Sequence, residues 1–455
     1  MDNHRWSIPF LKSRVKSENI AGIACFFFFL IVYGITARSD IQVSDEAAMA
    51  ATGASIVVDG DYAIDEWQWL QDSIAFGQMG VDGHLYAKYF PGNIYGFAIL
   101  YRLTDQQDDK PFYWSAPDLN PNVPPTQVAP SNTGVRFALK LNSLLGAIAI
   151  TTLFFLTNRY FDWKTAIITA LLIGLTTDWW YQSRGFMSEI GSGAFILLSI
   201  FFTAVKNPYA SGFFVAISLL FRPTSLLATP IWARSLWDKR WKSLISGVFI
   251  LAVLSFIAYY NLSRFDSLLS FGYGEEGFTG KLYDGLYGLL LSPGRSIFVY
   301  SPILAFALLG IKPMVKKDSF LFFLILVLIL AHTITIALWH SWDGGWSWGS
   351  RLLTPIVPIL GIFLAPIIDQ ARTRPKDTLV ILVFGLLGLC IQIAGLLHDP
   401  METIVQAVSY GNIPYEETVL SANNSWIVLQ LRSLEVWQAC NIDAYTLRQW
   451  IGCEP

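Results

Sequence analysis

Charge is what this chain has least of: aspartate, glutamate, lysine and arginine make up 14% of its 455 residues, where a soluble domain carries about 25%. With 53% hydrophobic residues, a soluble globular fold is excluded. Cysteine is scarce too, and four are too few for a disulfide framework. Cys25 and Cys390 sit inside apolar runs as packing residues, while Cys440 and Cys453 are close enough to pair if the tail lies in an oxidising compartment. No His or Cys cluster has metal-ligand spacing. No cofactor is implied, although the acidic loop described below leaves room for a divalent cation. The net charge of -3 and the lack of a long basic run exclude a nucleic-acid partner. No period of about 20 to 50 residues repeats, and the two halves lack the matched hydropathy of many transporters.

What is abundant is apolar sequence in runs of roughly 17 to 22 residues, each long enough to cross a hydrocarbon core as a helix. Unbroken runs, rather than period-two alternation, select helices over a barrel. Short loops rich in lysine and arginine mark the cytoplasmic face. Placing every basic cluster inside predicts spans near 20–36, 134–157, 164–181, 187–205, 243–260, 296–311, 318–338, 351–369 and 378–397. Residues 209–237 have basic clusters at both ends, so the stretch is read as two short helices broken at "FRPTS", with Arg222 and Pro223 at the turn. The expected fold is an all-α polytopic membrane protein with about eleven transmembrane helices. Residues 1–19 form a cytoplasmic tail, 20–397 the transmembrane domain and 398–455 an extracytoplasmic tail.

The long polar segments 37–132, 261–294 and 398–455 all fall outside, so any chemistry belongs there. The first outer loop is acidic, with Asp40, Asp45, Glu46, Asp59, Asp61, Asp65, Glu66, Asp72 and Asp82. Ser44 or Asp45 could cap a short helix over 47–52. His84 and Lys88 precede an apolar stretch too short to span, expected to lie in the interface with Tyr86, Tyr89, Tyr95 and Tyr101 at headgroup depth. Lys88 could equally be a snorkelling side chain.

Other charges recur at outer helix ends: Arg184 and Glu189 in "RGFMSE", Arg222, Arg295 in "SPGRS", and Asp343 with Arg351 in "WDGGWSWGSR". Basic residues are usually depleted on this side, so this set reads as a converging anion site. Gly344 and Gly345 permit a tight turn, while Trp342, Trp346 and Trp348 can anchor in the interface or stack on sugar faces. The plainer alternative is an aromatic belt with a snorkelling Arg351.

The motifs "SDEAAMAA", "YAKYFPGN", "RGFMSE", "LLFRPTS", "LLSPGRSIFVYSPI" and "WDGGWSWGSRLLTPIVPIL" together resemble bacterial membrane proteins of the GT-C glycosyltransferase superfamily, which includes protein O-mannosyltransferases and lipid A aminoarabinose transferases. The resemblance covers about residues 20 to 397. It implies an inverting transferase that moves a sugar from a polyprenyl-phosphate donor to an acceptor hydroxyl on the outer face of a bacterial inner membrane, in cell-envelope glycan biosynthesis. The acceptor would be a glycan, lipid or protein. It further implies that Asp45, with Glu46 beside it, is the catalytic base and that Lys88 and Arg351 hold the donor phosphate; His84, Tyr89, Arg184, Glu189, Arg222, Arg295 and Asp343, read from their own positions, are expected as further substrate contacts. "YFPGN" carries one proline where relatives often have two, and the tail from His398 is short, which leaves the acceptor open. The rival readings are a transporter or flippase, or a noncatalytic membrane assembly factor.

Overall fold

The computed structural model describes residues 8–453 except 39, 71–75, 109, 115–127, 271, 275 and 437, so Asp72 of the acidic loop lies outside the described residues. Among the described residues six helices are long and apolar enough to cross a membrane: Ser17–Ile35, Thr133–Tyr160, Arg240–Phe265, Ser319–Ala337, Arg351–Ala371 and Pro375–Leu397. Shorter apolar helices, among them Trp163–Thr176, Ser188–Ala204, Pro208–Leu219 and Pro302–Val315, complete the bundle. The stretch between the basic clusters around 206 and 240 is broken as expected. Helix Pro208–Leu219 stops before Arg222, which is extended, and Pro223 opens a 3-10 turn that runs into Thr229–Ala233.

Arg351–Ala371 is the central helix, with 89% of its apolar window buried. It packs on the helices Leu141–Tyr160, Trp163–Thr176, Ala307–Val315 and Pro375–Leu397. The peripheral helices leave large apolar side chains exposed, such as Ile20, Phe27 and Ile31 on the first and Val248 and Leu251 on Arg240–Phe265. So much exposed apolar surface has a low free energy only in lipid. His332, inside a span, is buried and hydrogen-bonds the Leu352 carbonyl at 3.0 Å. It is a packing residue that joins two helices.

Among the described residues strands are confined to two short antiparallel ribbons, Gln78–Met79 with Leu85–Tyr86 and Phe112–Trp114 with Val128–Pro130. The first long loop differs from the interfacial arrangement expected. Its helix Ser44–Val58 is longer than predicted and buries Ala47, Ala48, Met49, Ala50, Ala51 and Ala54. That small-residue face lets helix Pro91–Arg102 approach closely: a Cβ on Gly53 would lie 2.6 Å from the Phe97 ring. Tyr86 and Tyr101 are therefore buried in protein. Tyr95 instead meets Tyr62, hydroxyl to hydroxyl, at 2.6 Å.

The segment from residue 398 folds back over the same end of the bundle. Gln42 Nε2 donates to Asp399 Oδ1 at 2.7 Å, and the buried Arg184 pairs with Asp443 at 3.1 Å. Cys440 and Cys453 form a disulfide in this tail. Cys25 is buried, and Cys390 lies exposed on the apolar helix Pro375–Leu397.

Candidate active site

The helix Ser44–Val58 begins without a side-chain cap. Val43 occupies the capping position, and neither Ser44 nor Asp45 caps the helix. Asp45 is left to face a cavity of about 360 Å³. The Tyr89 hydroxyl donates to its Oδ1 at 2.8 Å, and Arg351 Nη1 lies 3.3 Å from its Oδ2. Burial, then the Asp45 charge, hold the Tyr89 hydroxyl far above its ordinary pKa, so it stays a donor.

Four basic side chains from four separate stretches line this cavity: Lys88, Arg222, His340 and Arg351. Lys88, just before helix Pro91–Arg102, pairs with Glu276 at 2.6 Å, and His340 lies 3.7 Å from the other oxygen of that carboxylate. Arg222, at the break after Pro208–Leu219, pairs with Glu189 Oε1 at 2.6 Å. Arg351 Nε lies 3.7 Å from the same oxygen. Tyr273, Trp339 and Trp346 supply aromatic wall, and burial raises the Tyr273 hydroxyl to about 12.

Of the residues read from sequence, the fold thus brings Asp45, Lys88, Tyr89, Glu189, Arg222 and Arg351 to one cavity. The rest lie elsewhere. Glu46 follows Asp45 in the chain, but successive helical positions point about 100° apart. Its buried carboxylate pairs with Arg38 and accepts the Phe186 amide at 2.8 Å. It therefore braces the first loop. His84 is exposed and pairs with Asp65 at 2.6 Å. Arg184 is spent on Asp443 and on the backbone carbonyls of Thr36 and Gly395.

Arg295 and Asp343 shape the "WDGGWSWGSR" loop rather than lining the cavity. Gly344, Gly345 and Gly349 have φ of +76°, +62° and +71°, values that residues with a Cβ rarely adopt. The turn aims the carbonyls of Gly345, Ser347 and Gly349 at the Arg295 guanidinium, which also lies over the Trp426 ring at 4.2 Å. Asp343 accepts the Tyr415 hydroxyl at 2.6 Å. Burial would raise its carboxyl, but Arg295 and the Tyr415 hydrogen bond outweigh that and hold it below the usual range. Trp346 alone of the three indoles lines the cavity. Trp348 is fully buried against Tyr181 and Tyr300, and Trp342 packs on Gly288.

Sequence reasoning missed Tyr273, Glu276, Trp339 and His340. The signal available was "GYGEEGF", two acids and a tyrosine among glycines in the polar segment 261–294. Among the described residues no group of three or more His, Cys, Asp and Glu gathers to hold a metal. Each cavity carboxylate, Asp45, Glu189 and Glu276, already has a basic partner.

No protein-family model matches the sequence, and no curated protein matches it. Among solved structures the chain is similar to ArnT from Cupriavidus metallidurans bound to undecaprenyl phosphate, with 12% identity and a TM-score of 0.52 over 94% of this chain and 77% of that one. The apo state of the same protein gives 12% identity and a TM-score of 0.54 over the same shares. The Archaeoglobus fulgidus oligosaccharyltransferase in its apo form is similar at 11% identity and a TM-score of 0.50, over 93% of this chain and 56% of that longer one. Likeness at this identity speaks for the fold. The chain is a multi-pass membrane protein whose fold is similar to those of ArnT and the archaeal oligosaccharyltransferase.

Proposed function

We propose that this protein is an inverting glycosyltransferase that moves a sugar from a polyprenyl-phosphate donor to an acceptor hydroxyl on the outer face of the plasma membrane, the inner membrane of a bacterium. The observation that carries this reading is one carboxylate, Asp45, beside a cluster of Lys88, Arg222 and Arg351 in a single cavity. A second cavity of about 550 Å³ shares Arg222, Tyr273, Glu276 and Trp339 with the first. It is lined by Leu226, Leu227, Leu269, Phe278 and Ile336, which suits the first isoprene units of a lipid donor.

The chemistry follows from these groups. A donor phosphate takes over the basic side chains, and arginine forks match its oxygens in bidentate fashion. Glu276 and Asp45 then give up their present partners, Lys88 and Arg351. Asp45 accepts the proton of the acceptor hydroxyl as that oxygen bonds the anomeric carbon from the face opposite the phosphate. The bond from that carbon to the phosphate oxygen breaks, and its electron pair stays on the phosphate. Basic groups placed where this charge develops stabilise the transition state. The leaving group needs no proton.

The outer location is supported by the basic loops, which set orientation, and by the Cys440–Cys453 disulfide, which belongs to an oxidising compartment. The acceptor, a glycan, lipid or protein, approaches beside Asp45 and Trp346. A transporter or flippase would place its polar groups near mid-bundle, and an assembly factor leaves Asp45 without a role. The test is Asp45→Asn in a deletion strain, read by mass spectrometry of envelope glycolipids and glycans. Turnover should fall by about 10² or more while the purified variant still binds undecaprenyl phosphate. Near-normal products from a correctly inserted variant would refute the assignment.

A further inference from the structure

Glu189 has a feature that a simple anion clamp does not need. It stands in the first turn of Ser188–Ala204, its side chain only 1% exposed, yet it lines the cavity. Its Oε1 serves two guanidinia from separate elements, Arg222 at 2.6 Å and Arg351 at 3.7 Å. Its Oε2 is buried and has no hydrogen-bond partner. Arg351 is already anchored by Asp45 at 3.3 Å. A full negative charge has therefore been set between two cations where an unopposed pair would grip phosphate harder.

The reaction proposed above explains why the harder grip would be a fault. The donor is a phosphodiester with one negative charge. When the bond to the sugar breaks, the electron pair left on oxygen makes a phosphomonoester, and the acceptor's proton goes to Asp45. A monoester carries about 1.5 to 2 negative charges near neutral pH. Two unopposed guanidinia would hold that product more tightly than the donor, because the added charge acts on both at short range. Product release limits turnover in many enzymes. Glu189 lowers the positive charge around the arginine pair by one, which weakens the hold on the more highly charged product more than the hold on the donor.

Resting on that reading of the function, we propose that Glu189 is a positioning residue that makes the arginine pair favour the phosphodiester donor over the phosphomonoester product, so that polyprenyl phosphate leaves after transfer. The test uses the full chain in nanodiscs and two probes, undecaprenyl phosphate and its methyl ester, which differ by one ionisable oxygen. In Glu189→Gln the monoester should bind at least about tenfold tighter and the methyl ester should tighten less, so the ratio of the two affinities rises. Glu189→Asp keeps the charge and should keep the wild-type ratio. If Glu189 only braces the arginines, Glu189→Gln will weaken both probes or leave the ratio unchanged, and the proposal falls. Should that variant not insert, Arg222→Gln removes one positive charge and should lower the ratio; an unchanged ratio again overturns the proposal. A wild-type protein that binds neither probe overturns the transferase reading itself, and this inference with it.

Discussion

Replacing Arg351 by lysine keeps the positive charge and removes the fork, which makes it the sharpest probe of the loop that leads into the span Arg351–Ala371. In the structure the guanidinium is 13% exposed and reaches Asp45 through Nη1 at 3.3 Å while its Nε faces Glu189 at 3.7 Å. A lysine ammonium is a single point and cannot keep both contacts and also a bidentate grip on phosphate. Losing one hydrogen bond to a charged group costs about 1.5 to 3 kcal/mol. At about 1.4 kcal/mol per factor of ten, Arg351→Lys should lower transfer roughly ten- to a hundredfold. Arg351→Ala should do worse, because it also strips Asp45 and Glu189 of a counter-charge. Complementing a deletion strain and measuring its envelope glycans reads activity. Binding of undecaprenyl phosphate to the purified variants separates the phosphate grip from the chemical step. Both proteins should insert and melt near wild type. A fully active Arg351→Lys protein refutes the donor clamp and leaves this arginine a headgroup anchor, since either side chain would serve there.

Asp399 offers a stability test with a defined sign. Burial, then the neighbouring Asp443, push its carboxyl well above 3.8. The folded state thus holds the proton that the unfolded chain releases, and stability falls as pH rises from 3.8 through the folded value. Asparagine keeps the oxygen that accepts Gln42 Nε2 and the Met401 amide. Asp399→Asn should therefore raise Tm at pH 8 and lose that gain toward pH 4, whereas an equal gain at both would refute the burial argument. Orientation is tested by cysteine labelling in a background lacking Cys440 and Cys453. Tyr410→Cys, at a position 82% exposed, should react with an impermeant reagent in intact cells, and Lys376→Cys only after lysis. The reverse pattern overturns the membrane orientation.

The fold was more legible than the site. The break at Arg222 and Pro223 could be read because proline and the flanking basic clusters are local signals, and the diglycine turn could be read because glycine takes those φ values far more readily than other residues. The interfacial helix with its row of tyrosines could not. Whether an amphipathic stretch lies on lipid or on protein depends on what else packs there, and the alanine face of Ser44–Val58 supplied a protein surface.

Membrane class and the gathering of charge in the segments between apolar runs were determined by the sequence itself, because the length of an apolar run against the bilayer is a property of each segment alone. Tertiary structure decided which of those charges do what. Asp45 and Glu46 are neighbours with opposite fates, one facing the cavity and the other pairing with Arg38. Arg184 and Arg295 look like Arg222 and Arg351 in sequence, but the first ties the tail to the first loop and the second gathers the carbonyls of a glycine turn. Glu276 meets Lys88 across 188 residues of chain. A helix end sets the height of a side chain along the bundle, whereas its direction, and hence its partner, depends on how separate helices are packed against one another.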